Sequence, residues 1–161
     1  MADVHDRATR RRNMQAIRHK DTKPEIQVRK ALFREGFRYS LHRKDLPGKP
    51  DLTLPKHRAV VQVHGCYWHF HGCHLSKIPE TDSDWWCEKF RATVARDQRN
   101  REALALAGWR VCEVWECALR GKTRRNPADV VSQVKSWINS DSEYLEIAGE
   151  RSNDGFCQRD F

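Results

Sequence analysis

Asp51-Leu52-Thr53-Leu54-Pro55-Lys56-His57-Arg58-Ala59-Val60-Val61-Gln62-Val63-His64 is the stretch on which the fold turns. Its second half, Arg58 to His64, is β-branched and nearly unbroken in apolar character. That is the pattern of a strand buried on both faces in the centre of a sheet. The first half, Asp51 to Leu54, is a short strand leaving the turn Leu46-Pro47-Gly48-Lys49-Pro50. Upstream, Phe37 to His42 alternates roughly and reads as a further strand. Before it, Thr22-Lys23-Pro24-Glu25 has the form of a capping box, which accounts fully for Glu25 by itself. The helix it opens presents Val28 and Leu32, widened by Ile26 and Phe33, and Gly36 ends it. Downstream, a long helix is expected from about Ser83 to Ala107, capped by Thr81 or Ser83 and closed by Gly108. Trp86, Phe90 and Val94 form one row on it. A strand over Trp109–Trp115 and a helix over Pro127–Ile138 complete the pattern. The order of elements implies an α/β fold, a mixed sheet flanked by helices.

A length of 161 residues fits one such domain. We divide it into a basic arm over 1–21, a core over 22–139 and a polar, loose tail over 140–161. The formal charge of +8 favours a polyanionic partner. Arg7, Arg10, Arg11, Arg12, Arg18 and Lys20 concentrate that charge in the arm, which reads as a mobile segment able to follow a phosphate backbone. The N-terminus is polar, without an apolar signal-type stretch, and no apolar run is long enough to span a bilayer. The expectation is a cytoplasmic protein whose thiols stay reduced. Its six cysteines then point to metal rather than disulfides.

The densest chemistry lies in His64-Gly65-Cys66-Tyr67-Trp68-His69-Phe70-His71-Gly72-Cys73-His74. Zinc takes four Cys or His ligands in a tetrahedron. Cys66, His71 and Cys73 supply three from one loop. Cys117, just past a strand end, is the choice for the fourth, whereas Cys112 lies inside that strand and reads as core. Cys87 and Cys157 have no ligand-like neighbours. Four protein ligands leave no open position for a reacting water, so the role is structural.

Asp51 follows a turn and begins a strand, and the next strand delivers Gln62-Val63-His64. This resembles the restriction-type nuclease pattern, in which an Asp and a second acid on adjacent strands hold magnesium. Here the second acid is absent, and the backbone carbonyl of residue 63 is the substitute. Asp51 is then the metal-holding side chain, and His69 or His64 takes a proton from water. Taken singly, each of these residues has an ordinary structural explanation; their combination carries the reading. Six tryptophans are many for this length. Trp109, Trp115 and Trp137 fall in regular elements and read as core, whereas Tyr67 and Trp68 sit in a loop suited to stacking on bases. One of Trp85 and Trp86 faces inward, and the pattern leaves open which.

Pro47-Gly48-Lys49-Pro50-Asp51, His64-Gly65-Cys66-Tyr67-Trp68-His69, Trp86-x-x-Lys89, Arg96-Asp97, Gly108-Trp109-Arg110-Val111 and Trp115-Glu116-Cys117-Ala118-Leu119-Arg120 together resemble the very short patch repair (Vsr) mismatch endonucleases, collinearly over residues 1 to 139. The resemblance implies a restriction-endonuclease-like fold. It implies a magnesium-dependent nick 5′ to the thymine of a thymine–guanine mismatch left by deamination of 5-methylcytosine. Asp51 and the backbone oxygen of Val63 are implied as magnesium ligands, and His69 as general base supported by His64 and Glu25. Cys66, His71, Cys73 and Cys117 are implied as zinc ligands. Tyr67, Trp68 and Trp86 are implied to enter the duplex beside the mismatch near Lys89, with Met14 entering from the other groove. The partner is mismatched double-stranded DNA, bound by a monomer, with repair proteins acting downstream. Tyr67 stands where Phe is common, Lys49 where Arg is, and Thr93 where Asn is usual. Two other readings fit the residues alone: a zinc-stabilised DNA-binding module without catalysis, and a nuclease cutting paired duplex.

Overall fold

The computed structural model describes residues 6–150. Helix α1 (Arg7–Gln15) starts at Asp6, whose side chain accepts the Thr9 N–H at 2.6 Å. None of its residues is buried, and the segment read as a mobile basic arm is helical over this stretch. Helix α2 (Lys23–Arg34) starts at Thr22, whose hydroxyl accepts the Glu25 N–H. It buries Glu25, Val28 and Leu32. Phe33 does not join that face: it is 52% exposed and packs on Tyr39 and Arg38 instead.

Five strands follow, β1 (Ser40–Leu41), β2 (Leu52–Leu54), β3 (Ala59–His64), β4 (Arg110–Trp115) and β5 (Tyr144–Ile147). They form one mixed sheet in the order β1-β2-β3-β4-β5, antiparallel up to β3 and parallel from β3 to β5. The strand expected over Phe37–His42 shrinks to two residues. Phe37 turns into the core, and His42 has a φ of +47°, which ends the extended run. The tail expected to be loose after Asn139 contributes β5 instead, pairing Val111 with Tyr144 and Val114 with Ile147. A four-residue strand between polar flanks has too weak a pattern to stand out, but β4 offers it a ladder edge and a core site for Ile147. The structural core therefore reaches past residue 139.

Helices α3 (Ser83–Leu106) and α4 (Pro127–Ile138) cover the sheet. Asn126 caps α4, its side chain accepting the Ala128 N–H. The cap of α3 is neither Thr81 nor Ser83 but Asp82, at φ +56° and without a side-chain hydrogen bond. Strand alternation sorts the central side chains into two layers. Ala59, Val61, Cys112 and Val114 join Val28, Leu32, Val130 and Val134 in the main core under α2 and α4. Val60 and Val111 point the other way, onto Leu104 of α3 and Trp109. Burial on both faces explains why β3 reads as continuously apolar. The register pairs Val60 with Val111, Gln62 with Glu113 and His64 with Trp115, so the face under α3 turns from apolar to polar towards the strands' C-terminal ends. That gradient positions the site.

Candidate active site and metal centre

Asp51 lies just before β2, where its carboxylate accepts the Val63 N–H at 2.7 Å. This ties the side chain to the end of β3. Burial pushes the Asp51 carboxyl up to about 6; the Val63 N–H works against this and the Glu25 charge with it, while His42 and His69 oppose it. The contact to residue 63 is made through its amide, so a ligand role for the Val63 carbonyl is a proposal taken up below.

His69 is held by α3. Its Nδ1 lies 2.6 Å from Oδ2 of Asp97, which accepts the Nδ1 hydrogen and leaves Nε2 as the acceptor. The His64 ring lies 4.2 Å from that of His69, centroid to centroid, and 5.0 Å from Trp115. Burial pushes the His64 imidazole down, with Glu113 acting the other way. Glu25 does not reach His69 directly. Its carboxylate accepts the Asp21 N–H at 2.9 Å, pairs with Arg29 at 3.1 Å and contacts His42 Nε2 at 2.7 Å. His42 Nε2 in turn lies 3.8 Å from Asp51 Oδ1. Glu25 thus helps to pin the helix start and also joins Asp51 through His42. Asp21, Glu25 and His42 have the donor types of a metal site, but Arg29 already pairs with both carboxylates.

These groups open onto one cavity of about 970 Å³ lined by Asp51, Val63, His64, His69 and Asp97. Arg18, Lys20, Lys44, Lys49 and Arg96 also line it. Carboxylates and imidazoles within a ring of cations suit a phosphodiester, with the cations holding phosphates and the acids holding a cation or a proton.

Cys66, His71, Cys73 and Cys117 each offer a donor atom, all within 4.8 Å of one another. The His71 Nδ1 is 3.8 Å from Cys66 Sγ and 3.4 Å from Cys117 Sγ. Those edges match a tetrahedron with metal–sulfur and metal–nitrogen bonds of about 2.0–2.3 Å, so this set fits a zinc-type ion. The hydrogen bond from Cys66 pulls the Cys117 thiol down, helped by His71 and the Gly149 N–H, and Cys66 is pushed up by the same contact and by burial. Two backbone amides donate to sulfur, Cys117 N–H to Cys66 and Gly149 N–H to Cys117. Cys112 is buried core, as its place in β4 implied, and Cys157 lies outside the described residues.

Tyr67, Trp68 and Trp86 pack edge to face and tilted, with ring centroids 4.8 to 6.4 Å apart, and Phe90 meets Tyr67 edge to face as well. The Lys89 ammonium sits over Trp68, Trp85 and Trp86. Trp86 is the inward member of its pair, and Trp85 is 55% exposed. Met14, 43% exposed, lies on α1.

Sequence comparison agrees with this geometry. The family model described as DNA mismatch endonuclease Vsr matches residues 2–75. The chain is 40% identical over 147 residues to the DNA mismatch endonuclease Vsr of Escherichia coli K12, covering 91% of this chain and 94% of that one. The chain belongs to the Vsr family of DNA mismatch endonucleases. It is also 50% identical over 119 residues to the type II nicking enzyme V.XorIIP of Xanthomonas oryzae, covering 74% and 88% of the two chains. A Neisseria meningitidis relative, V.NmeAIP, is 43% identical over 122 residues, covering 76% and 87%.

In this Vsr family member the loop residues and strand ends singled out from the sequence do converge: Asp51, Val63, His64 and His69 on the cavity, and the four thiol and imidazole donors beside it. The sequence reading passed over His42 and Glu113, and quoted Asp97 only within the Arg96-Asp97 motif, without giving it a role. His42 was absorbed into an expected strand and Glu113 into a real one. Asp97 had a signal: with Asn100 and Arg101 it makes a polar i, i+3, i+4 stripe on α3, the helix expected to cover the sheet.

Proposed function

We propose that the protein nicks double-stranded DNA beside a mismatch, cutting the thymine strand 5′ to a thymine–guanine pair left by deamination of 5-methylcytosine. The observation carrying this is the convergence of Asp51, His64 and the His69–Asp97 pair on one cation-rimmed cavity. It occurs in a chain whose relatives are named as mismatch endonuclease and nicking enzymes. The strand order and the polar end of the β2–β3 pair fit a restriction-endonuclease-like core.

His69 Nε2 takes a proton from the attacking water, and Asp97 keeps the ring in the tautomer that can accept it. Asp51 is the side chain that would hold magnesium, joined by the Val63 carbonyl. Its buried carboxylate, raised to about 6, is a group that a bound cation relieves. Magnesium, when bound, supplies charge neutralisation at the phosphate and acidifies water. His64 lies against His69 and supports it; Glu25 steadies His42 beside Asp51. Lys44, Lys49 and Arg96 hold phosphates around the cavity.

Tyr67, Trp68 and Trp86 form an aromatic wedge with Lys89 above it. A mismatched step is cheaper to open than a paired one, so a wedge selects it through deformation energy. Met14 on α1 approaches from the opposite groove. Zinc at Cys66, His71, Cys73 and Cys117 is structural, with no ligand position left for water.

The test is strand-resolved cleavage of one duplex with a single thymine–guanine mismatch and of its fully paired twin. A magnesium-dependent nick confined to the thymine strand, 5′ to the mismatch, supports the reading. Salt-sensitive binding without any cleavage refutes it in favour of a binding module, and equal cleavage of both duplexes refutes mismatch choice.

A further inference from the structure

Glu113 is 3% exposed in the middle of β4, between the core residues Cys112 and Val114. Strand alternation turns it to the α3 face, opposite Gln62 in register and beside His64. Its two oxygens are engaged differently. Oε2 accepts the Tyr144 hydroxyl at 2.8 Å and Arg101 Nη1 at 3.3 Å. Oε1 faces His64 Nε2 at 3.6 Å. Burial acts to raise this carboxyl, but His64, Tyr144 and Arg101 together hold it at about 2, and so charged. A buried ion of this kind adds little stability over an apolar residue of similar volume. Its place among the apolar residues Val111 to Trp115 is therefore explained by what it faces.

We propose that Glu113 is a positioning residue for His64 in the nicking reaction, a role that rests on the function proposed above. At 3.6 Å this is a charge–dipole contact rather than a hydrogen bond, but a carboxylate beside Nε2 favours the tautomer whose N–H faces it, which leaves Nδ1 as the acceptor. Through Arg101 the same carboxylate ties α3 to the sheet one turn from Asp97, the partner of His69. One buried charge thus selects the tautomer of one active-site imidazole and steadies the helix turn that orients the other. Tyr144 completes the shell from β5, which gives that short edge strand a part in the site.

E113Q is the informative variant. Its carbonyl oxygen still accepts from Tyr144 and Arg101, but the charge is gone and an amide N–H can face His64. Two readouts apply to the full, zinc-loaded chain: nitrogen NMR shifts of the His64 ring, and steady-state nicking of a thymine–guanine duplex. The expected result is an Nε2–H tautomer in the unmutated protein that is lost or mixed in E113Q. With it, kcat of the folded variant falls about 10- to 100-fold, the scale on which partners that orient metal-bound imidazoles act, while KM for the duplex stays put. An Nδ1–H tautomer in the unmutated protein overturns the proposal even should E113Q fail to fold. So does an unchanged tautomer in folded E113Q, or a loss of kcat that only parallels a loss of stability. Absence of nicking by the unmutated protein would refute the functional reading instead, with the NMR result still deciding the role of Glu113.

Discussion

His69 Nδ1 lies 2.6 Å from Asp97 Oδ2, although 28 positions separate the two residues. The loop after β3 supplies the imidazole and α3 supplies its orienting carboxylate. Asp97→Asn keeps the size but lets an amide N–H face Nδ1, which favours the opposite tautomer. Nicking is expected to fall at least about 100-fold, as when an orienting carboxylate is amidated elsewhere, while duplex affinity holds. Single-turnover cleavage beside equilibrium binding checks both; full activity in the variant would remove Asp97 from the mechanism.

That pair also marks the limit of what the sequence could reveal. β3, β4, α2, α3 and α4 announce themselves through continuous apolar strands, caps and 3.6-residue rows, because their burial is decided locally. The loop after β3 was legible as a donor cluster, and Cys117 could be chosen because it stands at a strand end. Long-range partners were not. Asp97 meets His69 only once α3 packs on the sheet, His42 meets Glu25 only once the chain after β1 folds back onto α2, and Glu113 meets His64 only once β4 pairs with β3. Phe37–His42 read as a strand because no pattern foretold that His42 would take φ +47°.

Asp51 carries an energetic cost in the absence of a cation. Its carboxyl is raised from 3.8 to about 6, so the folded state prefers the protonated form. The penalty is absent below about pH 4, grows as pH rises to about 6 and is full above. Metal-free Asp51→Asn is therefore expected to be more stable at pH 7 by up to about 3 kcal/mol, with the gain vanishing near pH 4. Magnesium should stabilise the unmutated protein and leave the variant unmoved. Denaturant titrations at both pH values test this; equal stability at pH 7 would contradict it.

Gly149 bonds the sulfur of Cys117 from outside the donor cluster. A Cβ built on it would lie 2.5 Å from the Cys117 carbonyl oxygen and would overlap Thr123 Oγ1. Gly149→Ala is expected to cost about 1–3 kcal/mol through overpacking and to speed zinc loss to a chelator. Cys117→Ser should lower bound zinc outright. Metal analysis with thermal melts distinguishes them, and full zinc retention in Cys117→Ser would refute its assignment as ligand.

Trp68 packs on Tyr67 and Trp86 beneath Lys89. If the cluster is a wedge, Trp68→Ala removes stacking worth about 1–3 kcal/mol. Preference for a mismatched over a paired duplex should then fall by about 10-fold or more, with little change in paired-duplex affinity. Competition binding at fixed salt reads this, and equal losses on both duplexes would remove the wedge.

The most direct test of the whole account is single-turnover cleavage of a strand-labelled thymine–guanine duplex by the unmutated protein and by Asp51→Asn. The unmutated protein is expected to nick 5′ to the thymine, and Asp51→Asn, folded, zinc-loaded and still bound to the duplex, is expected not to nick at all. Cleavage by Asp51→Asn at an undiminished rate would show that the cavity around Asp51, His64 and His69 is not where the strand is cut.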